Sequence, residues 1–221
     1  MLRCSTSPWS ADLADLAAEI GRVGPFAERF HLDVADGHYV PAMLFFPDLV
    51  RALRKHTAVP FEVHLMTVDP LAWVEPFIDA GADSVTFRHD SAPEPGRVIE
   101  AIKARGKGVD ISLLITEPIE RLEPYWDGLD LATIVATAMG IEGASMDASI
   151  PDNIRSARAT IAARGLATEV EVDGGIRRQT VPLFAEAGAA ASCISSVWVP
   201  SPCPARPRAG SRRGRSPGWP R

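Results

Sequence analysis

Several features that define whole classes of proteins are scarce in this sequence. Its 221 residues include only three cysteines, Cys4, Cys193 and Cys203, and this odd, unpatterned set argues against a disulfide framework. No apolar run is long enough to span a bilayer, and the N-terminus lacks the apolar core of a signal peptide. The net charge is −5, so the basic surplus typical of nucleic-acid-binding proteins is missing. These absences predict a soluble, cytoplasmic protein without a membrane partner.

What the chain does contain is a regular alternation of strand and helix patterns. Hydrophobic residues make up 46% of it, enough to bury one sizeable core. Eight apolar strand segments alternate with seven helical segments, and no dinucleotide-binding glycine fingerprint follows the first strand. The pattern predicts an α/β protein, a compact (β/α)₈ barrel (TIM barrel) rather than an open sheet. The connections include a short helix predicted at Ile119–Trp126 and a lid loop predicted from His38 to Pro47.

The chain changes character after Val199. Residues 200–221 contain six arginines and six prolines but no Leu, Ile, Val, Met or Phe, so they cannot form an amphipathic helix. We therefore predict a barrel domain over residues 1–199 without a proper eighth helix, followed by a disordered Arg/Pro-rich tail over residues 200–221. A frame-shifted or unselected tail is preferred to a basic arm for nucleic acid. The uncovered seam would favour low stability or a homo-oligomer that covers it.

Side chains that can ligate a metal stand near the ends of three strand segments. His31 and Asp33 are two residues apart in one predicted strand and therefore point to the same face. His64 lies near the end of a second strand, and Asp173 ends a third. Each residue alone is more often a core histidine or a turn-forming aspartate. Together, at strand ends that meet at the mouth of a barrel, they predict a site for one divalent cation, Zn, Fe, Mn or Co.

Four motifs carry a resemblance to a known family. They read SPWSADL from Ser7, HLDVADGHYVP from His31, EVHLM from Glu62 and EVDGG from Glu171. In this order and at this spacing they resemble the ribulose-phosphate 3-epimerases, over about residues 2–199. The resemblance implies a barrel in which Asp33 and Asp173 are both metal ligands and the acid/base pair. For His31 and His64 it implies a role as metal ligands and no part in the acid/base chemistry.

The same resemblance implies a substrate site around the mouth of the barrel. Its residues would be Ser7, His64, Met66, Gly140, Gly143, Gly174, Gly175, Ser195 and Ser196. The loop Met139–Ala144 departs from the family's glycine-rich phosphate loop, because Glu142 puts a carboxylate where a phosphate would sit. Compensating charge is expected from three arginines treated as surface residues, Arg88, Arg177 and Arg178. Glu171, deeper in the barrel, is expected to be structural.

Three functions stay open at this point. The first is metal-dependent epimerisation at C3 of ribulose 5-phosphate to give xylulose 5-phosphate, by a two-aspartate acid/base mechanism through an enediolate. The second is a related epimerase or isomerase acting on another ketose or sugar phosphate. The third is a catalytically impaired barrel with an altered C-terminus. The first two predict a small sugar phosphate as the partner.

Overall fold

Eight parallel strands form a closed barrel in the computed structural model, which describes residues 2–137 and 145–195. The strands in chain order are β1 (Arg3–Ser7), β2 (Arg29–Asp36), β3 (Met43–Leu44), β4 (Phe61–Met66), β5 (Ser84–Arg88), β6 (Gly108–Leu113), β7 (Leu131–Val135), β8 (Glu169–Asp173) and β9 (Ala191–Ser195). All but β3 belong to the barrel, and β1 pairs with both β9 and β2, which closes the ring. The predicted barrel is therefore confirmed. The predicted tail over residues 200–221 lies outside the described residues.

Six α-helices of the described chain connect the strands. They are α1 (Leu16–Val23), α2 (Pro47–Arg54), α3 (Pro70–Ala80), α4 (Pro95–Ala104), α5 (Ile150–Arg164) and α6 (Val181–Ala187). Five of them carry proline in the first turn, where no amide donor is needed. Three end at a left-handed glycine, Gly81, Gly165 or Gly188, a conformation that glycine adopts without steric cost.

Two predicted connections differ from the structure. The segment predicted as a helix at Ile119–Trp126 forms two 3₁₀ turns, Ile119–Leu122 and Trp126–Gly128, because Pro124 lies between them and cannot donate a helical hydrogen bond. The predicted lid loop contains the short strand β3, which runs antiparallel to the end of β2. The Asp36 side chain stabilises the turn between β2 and β3, because it accepts hydrogen bonds from the backbone amides of His38 and Tyr39.

The barrel strands are buried on both faces, but their inner face is unusually polar. Their outward residues, such as Phe30, Leu32 and Val63, are fully buried and belong to the main hydrophobic core. The inner face carries polar and charged side chains on most strands. They are His31, Asp33, Glu62, His64, Thr86, Arg88, Asp110, Ser112, Thr133 and Glu171, all buried. Barrels of this type are usually filled with branched aliphatic residues, so this interior is organised for polar contacts.

Candidate active site

His31, Asp33, His64 and Asp173 converge inside the barrel. One possible ligand atom from each lies within 4.8 Å of the others. The strand register explains this, because Asp33 is paired with His64 across β2 and β4, and His31 points inward one step earlier on β2. Asp173 ends β8, which is separated from β2 by β9 and β1. The barrel therefore brings together four side chains whose roles as ligands were predicted from the sequence.

The distances within this cluster identify the converging atoms. His31 Nε2 lies 3.3 Å from Asp33 Oδ1 and 4.0 Å from Asp173 Oδ2. His64 Nδ1 lies 3.4 Å from Asp33 Oδ1 and 3.8 Å from Asp173 Oδ2. Both histidine side chains are fully buried, whereas the Asp173 side chain is 20% exposed. The cluster is thus enclosed on the barrel side and open at Asp173.

The surroundings push the pKa values of the two aspartates in opposite directions. Burial by itself would raise the pKa of Asp33, but the charges and hydrogen bonds of His31 and His64 outweigh it and hold that pKa well below its ordinary value. Burial also raises the pKa of Asp173, where His31 opposes the rise and the nearby Asp33 adds to it, and the net shift is upward. The two carboxyl groups therefore differ in acidity, and Asp33 is the stronger acid of the pair.

The predicted substrate residues that the structure describes lie around this cluster. Ser7 Oγ donates to Asp33 Oδ2 at 2.7 Å, so its hydroxyl proton is directed at the carboxylate. Met66 is buried with Ala35 and Val40, and the three form a small apolar cluster between strand ends and lid. Their roles in substrate binding stay predictions.

The predicted glycine pair follows β8 directly. Gly174 and Gly175 have φ values of 85° and 64°, a conformation that favours glycine. Ser195 ends β9, which pairs with β8. Gly140, Gly143 and Ser196, together with the divergent loop at residues 139–144, lie outside the described residues. Phosphate binding by these segments stays a prediction.

Sequence reasoning missed the groups that hold the two imidazoles. His31 Nδ1 lies 2.9 Å from Glu62 Oε1, and His64 Nε2 lies 3.0 Å from Ser112 Oγ. The treatment of Arg88 as a surface residue was wrong, because it is fully buried and its Nη1 donates to Ser112 Oγ at 3.3 Å. The two-residue period of a strand could have indicated the burial of Arg88, since it follows the inward-facing Thr86 by two residues.

Fold and cluster together define a (β/α)₈ barrel protein with a buried His/Asp site that could hold a divalent cation. A family model described as the ribulose-phosphate 3 epimerase family matches residues 3–198. The chain belongs to this family, whose members are carbohydrate epimerases of the isomerase class and act on a sugar phosphate. Epimerisation of a pentose phosphate is the activity that this membership supports.

Individual relatives align with most of the chain. The chain is 37% identical to ribulose-phosphate 3-epimerase from Treponema pallidum over 163 residues, which cover 74% of this chain and 75% of the relative. It is 34% identical to the Bacillus subtilis enzyme of that name over 191 residues, covering 86% and 88%. For the Synechocystis enzyme the identity is 35% over 211 residues, covering 94% and 92%.

Solved structures extend the comparison to the fold alone. A tryptophan synthase α-subunit from Pyrococcus furiosus superposes with a TM-score of 0.68 at 15% identity, over 90% of this chain and 88% of that one. None of the helices in the described residues has the length and apolar character needed to cross a membrane. A rice relative, 31% identical, carries the name of a cytoplasmic isoform. The cytoplasmic location of this chain stays a prediction.

Proposed function

We propose that this chain is a divalent-metal-dependent epimerase that interconverts ribulose 5-phosphate and xylulose 5-phosphate at C3. The observation that carries the proposal is the convergence of Asp33 and Asp173 with two imidazoles inside 4.8 Å. Family membership supports a pentose phosphate as the substrate. The two aspartates come from strands β2 and β8, so they approach the cluster from different parts of the barrel wall.

The donor set fits a divalent cation. Two imidazole nitrogens and two carboxylates are ligands that Zn, Fe, Mn and Co accept in proteins. His31 Nε2 and His64 Nδ1 face each other at 3.2 Å, and each lies 3.3–3.4 Å from the same Asp33 oxygen. His31, Asp33, His64 and Asp173 would hold the cation. When bound, it would supply positive charge beside the oxygens of an enediolate.

Asp33 and Asp173 are the acid/base pair in this proposal. One carboxylate takes the proton from C3, the electron pair of that C–H bond forms the C2–C3 double bond, and the ketone oxygen takes the negative charge. The other carboxyl group returns a proton to the opposite face of C3, which inverts the configuration and restores the ketone. In the reverse reaction the two groups exchange roles. Ser7 keeps Asp33 in place through its 2.7 Å hydrogen bond.

The remaining predicted residues would bind the substrate around this pair. Met66 and the lid residue Val40 would cover the reacting carbon and exclude water. Backbone amides near Gly174 and Gly175 would bind the phosphate, since such amides point outward in left-handed turns. The sequence adds Gly140, Gly143, Ser195 and Ser196 to the same phosphate-binding region, and His64 would contact both substrate and cation.

Hydrogen exchange into the substrate tests the reaction directly. The protein is loaded with Zn²⁺ or Mn²⁺ and incubated in D₂O with ribulose 5-phosphate or another ketose phosphate, and deuterium at C3 is followed by NMR. Deuterium at C3 of ribulose 5-phosphate together with xylulose 5-phosphate formation supports the proposal. Exchange into a different sugar phosphate alone would favour the second function considered above. A metal-loaded protein that exchanges none of them would be the impaired barrel.

Asp173→Asn provides the matched mutational test. The amide fills the same space but cannot accept and return a proton, so we expect turnover to fall by at least about a hundredfold. Circular dichroism and the melting temperature should show the fold retained. Asp152→Asn is the control, because Asp152 is exposed on the first turn of α5. Turnover close to that of the control would show that Asp173 is only a turn residue.

A further inference from the structure

The first observation concerns the proton on His31. Its Nδ1 is 2.9 Å from Glu62 Oε1, and Glu62 also accepts from Arg29 Nη1 at 3.1 Å. A carboxylate paired with an arginine is ionised and can only accept hydrogen bonds. When the His31 ring is neutral, as a metal ligand must be, its proton is therefore on Nδ1. Its Nε2 then keeps a bare lone pair directed toward Asp33.

The second observation concerns the proton on His64, where the hydrogen-bond partners favour one assignment. Ser112 Oγ has a single hydrogen, which it donates to the carbonyl oxygen of Phe87 at 3.3 Å. Arg88 Nη1 donates to the same Oγ at 3.3 Å and cannot accept. With that hydrogen directed to Phe87, His64 Nε2, at 3.0 Å, is the second donor to Ser112. The neutral ring then has its bare lone pair on Nδ1, on the side of the two aspartates.

We propose that Glu62 and Ser112 are positioning residues that impose opposite tautomers on His31 and His64, so that two unprotonated nitrogens face the same cation site. Arg88 belongs to this arrangement because its donation makes Ser112 an acceptor for His64. The inference rests on the proposed metal site and gives Glu62 and Ser112 roles in it that the sequence analysis did not assign. Hydrogen-bonded partners of this kind orient metal-binding histidines in other proteins as well.

The two imidazole rings are close enough for their nitrogen lone pairs to interact. His31 Nε2 and His64 Nδ1 are 3.2 Å apart in a fully buried environment. Two lone pairs at this distance repel each other unless a proton or a cation lies between them. The contacts made by Glu62 and Ser112 therefore prepare the cluster to take up a positive charge. If either tautomer were reversed, a ring N–H would point into the site and compete with the cation.

Ser112→Ala tests the His64 half of the proposal. Zn²⁺ affinity of the metal-free protein is measured by competition with a chromophoric chelator, without any substrate. We expect the variant to bind Zn²⁺ about tenfold to a hundredfold more weakly than the wild type. Ser112→Thr keeps the hydroxyl group and should restore affinity to near the wild-type value. Ser5→Ala is the matched control, since Ser5 is equally buried and its Oγ has no hydrogen-bond partner among the described residues.

Glu62 variants test the His31 half. Glu62→Gln keeps an oxygen that accepts from Nδ1 and should lose less Zn²⁺ affinity than Glu62→Leu, which has no acceptor. Asp110→Asn is the control, because this second buried carboxylate accepts from Thr86 and Thr133 rather than from a histidine. In the wild-type protein loaded with Zn²⁺, ¹⁵N–¹H NMR of the imidazoles should show the His31 proton on Nδ1 and the His64 proton on Nε2.

The outcomes separate this inference from the proposed function. A wild-type protein that binds no Zn²⁺ overturns the metal site and the inference with it. A wild type that binds Zn²⁺ while Ser112→Ala matches Ser5→Ala overturns the inference alone, as does an NMR spectrum with either proton on the other nitrogen. Because the NMR measurement uses the wild type, it decides the matter even if a variant does not fold. Weak binding by Ser112→Ala, recovery by Ser112→Thr and the two expected tautomers support the inference.

Discussion

Asp110 lies in the polar interior of the barrel, where it accepts hydrogen bonds from Thr86 Oγ1 at 2.8 Å and Thr133 Oγ1 at 2.6 Å. Burial and the charge of Glu62 raise the pKa of this carboxyl to about 7, although the two threonines and His31 oppose the rise. The folded protein therefore binds this proton more tightly than the unfolded chain, in which an aspartate has a pKa of about 3.9.

The sign of the pH dependence follows from linkage. The stability that Asp110 contributes is fully present below about pH 4 and is lost as the pH rises toward 7. Asp110→Asn carries no titrating proton, so its unfolding free energy relative to wild type should improve by roughly 1–3 kcal/mol between pH 5 and pH 8. Urea unfolding at several pH values measures this difference. A difference that stays constant with pH would contradict the prediction.

Two glycines with nearly the same backbone conformation differ in their surroundings. Gly175 and Gly165 have φ values of 64° and 66°. A Cβ at Gly165 would meet nothing within 4 Å, whereas at Gly175 it would lie 3.1 Å from Met146 Cα and 3.2 Å from its backbone nitrogen. Gly165→Ala should cost about 1–2 kcal/mol of unfolding free energy from the left-handed conformation alone.

Gly175→Ala should cost more than its partner variant. The backbone of Met146 must move to admit the methyl group, which adds roughly 1–3 kcal/mol to the conformational cost. Chemical denaturation of both variants gives the comparison. Equal losses of unfolding free energy in the two variants would show that the turn after β8 adjusts without strain. The close approach to Met146 would then add no free-energy cost.

At the scale of elements, the lid between β2 and β4 is attached to the barrel through Tyr39. Its hydroxyl group donates to Asp90 Oδ1 at 2.7 Å and accepts from Arg88 Nε at 3.2 Å. Burial, opposed by Arg88, raises the pKa of Tyr39 to about 12, so the hydroxyl keeps its proton at neutral pH. The residues after Tyr39 include Val40, which packs on Met66 above the candidate site.

Tyr39→Phe removes these contacts while keeping the ring. We expect faster amide hydrogen exchange in the lid and a KM for ribulose 5-phosphate roughly two- to tenfold higher, as the loss of one or two hydrogen bonds implies. Tyr125→Phe is the control, because it removes a hydroxyl group that lies outside the lid, between the two 3₁₀ turns. Unchanged exchange in the lid would show that Tyr39 does not hold this element closed.

At the scale of the whole molecule, the candidate cation site joins strands from distant parts of the chain. His31 and Asp33 come from β2, His64 from β4 and Asp173 from β8. A cation held by all four binds the folded barrel but not the unfolded chain. At a concentration of 100 times its Kd it should stabilise the fold by about 2.7 kcal/mol.

Calorimetry with and without Zn²⁺ measures this effect. For a chain of this size we expect the melting temperature to rise by roughly 5–10 °C on adding the cation and to fall again with a chelator. His64→Ala should abolish most of the response, because it removes one of the four ligands. A melting temperature that does not depend on the cation in the wild type would contradict the proposed site.

The amino-acid sequence by itself determined the barrel and the direction of its key side chains. The alternation of strand and helix segments predicted the barrel, and the predicted ligands His31, Asp33 and His64 lie on two of its strands, β2 and β4. The two-residue period of a strand placed His31 and Asp33 on one face before any contact was known. Three helices end at Gly81, Gly165 and Gly188, because glycine readily adopts the left-handed conformation found there.

Only the tertiary structure decided which groups meet. Ser112 lies 48 positions after His64, and Glu62 lies 31 positions after His31, so no local pattern relates them. Their contacts depend on the register of parallel strands and on barrel closure, which are settled by packing over the whole ring. Arg88 is buried for the same reason, since the inner face of β5 has no access to solvent. Local periodicity specifies where a side chain points, whereas only the closed barrel specifies what it meets there.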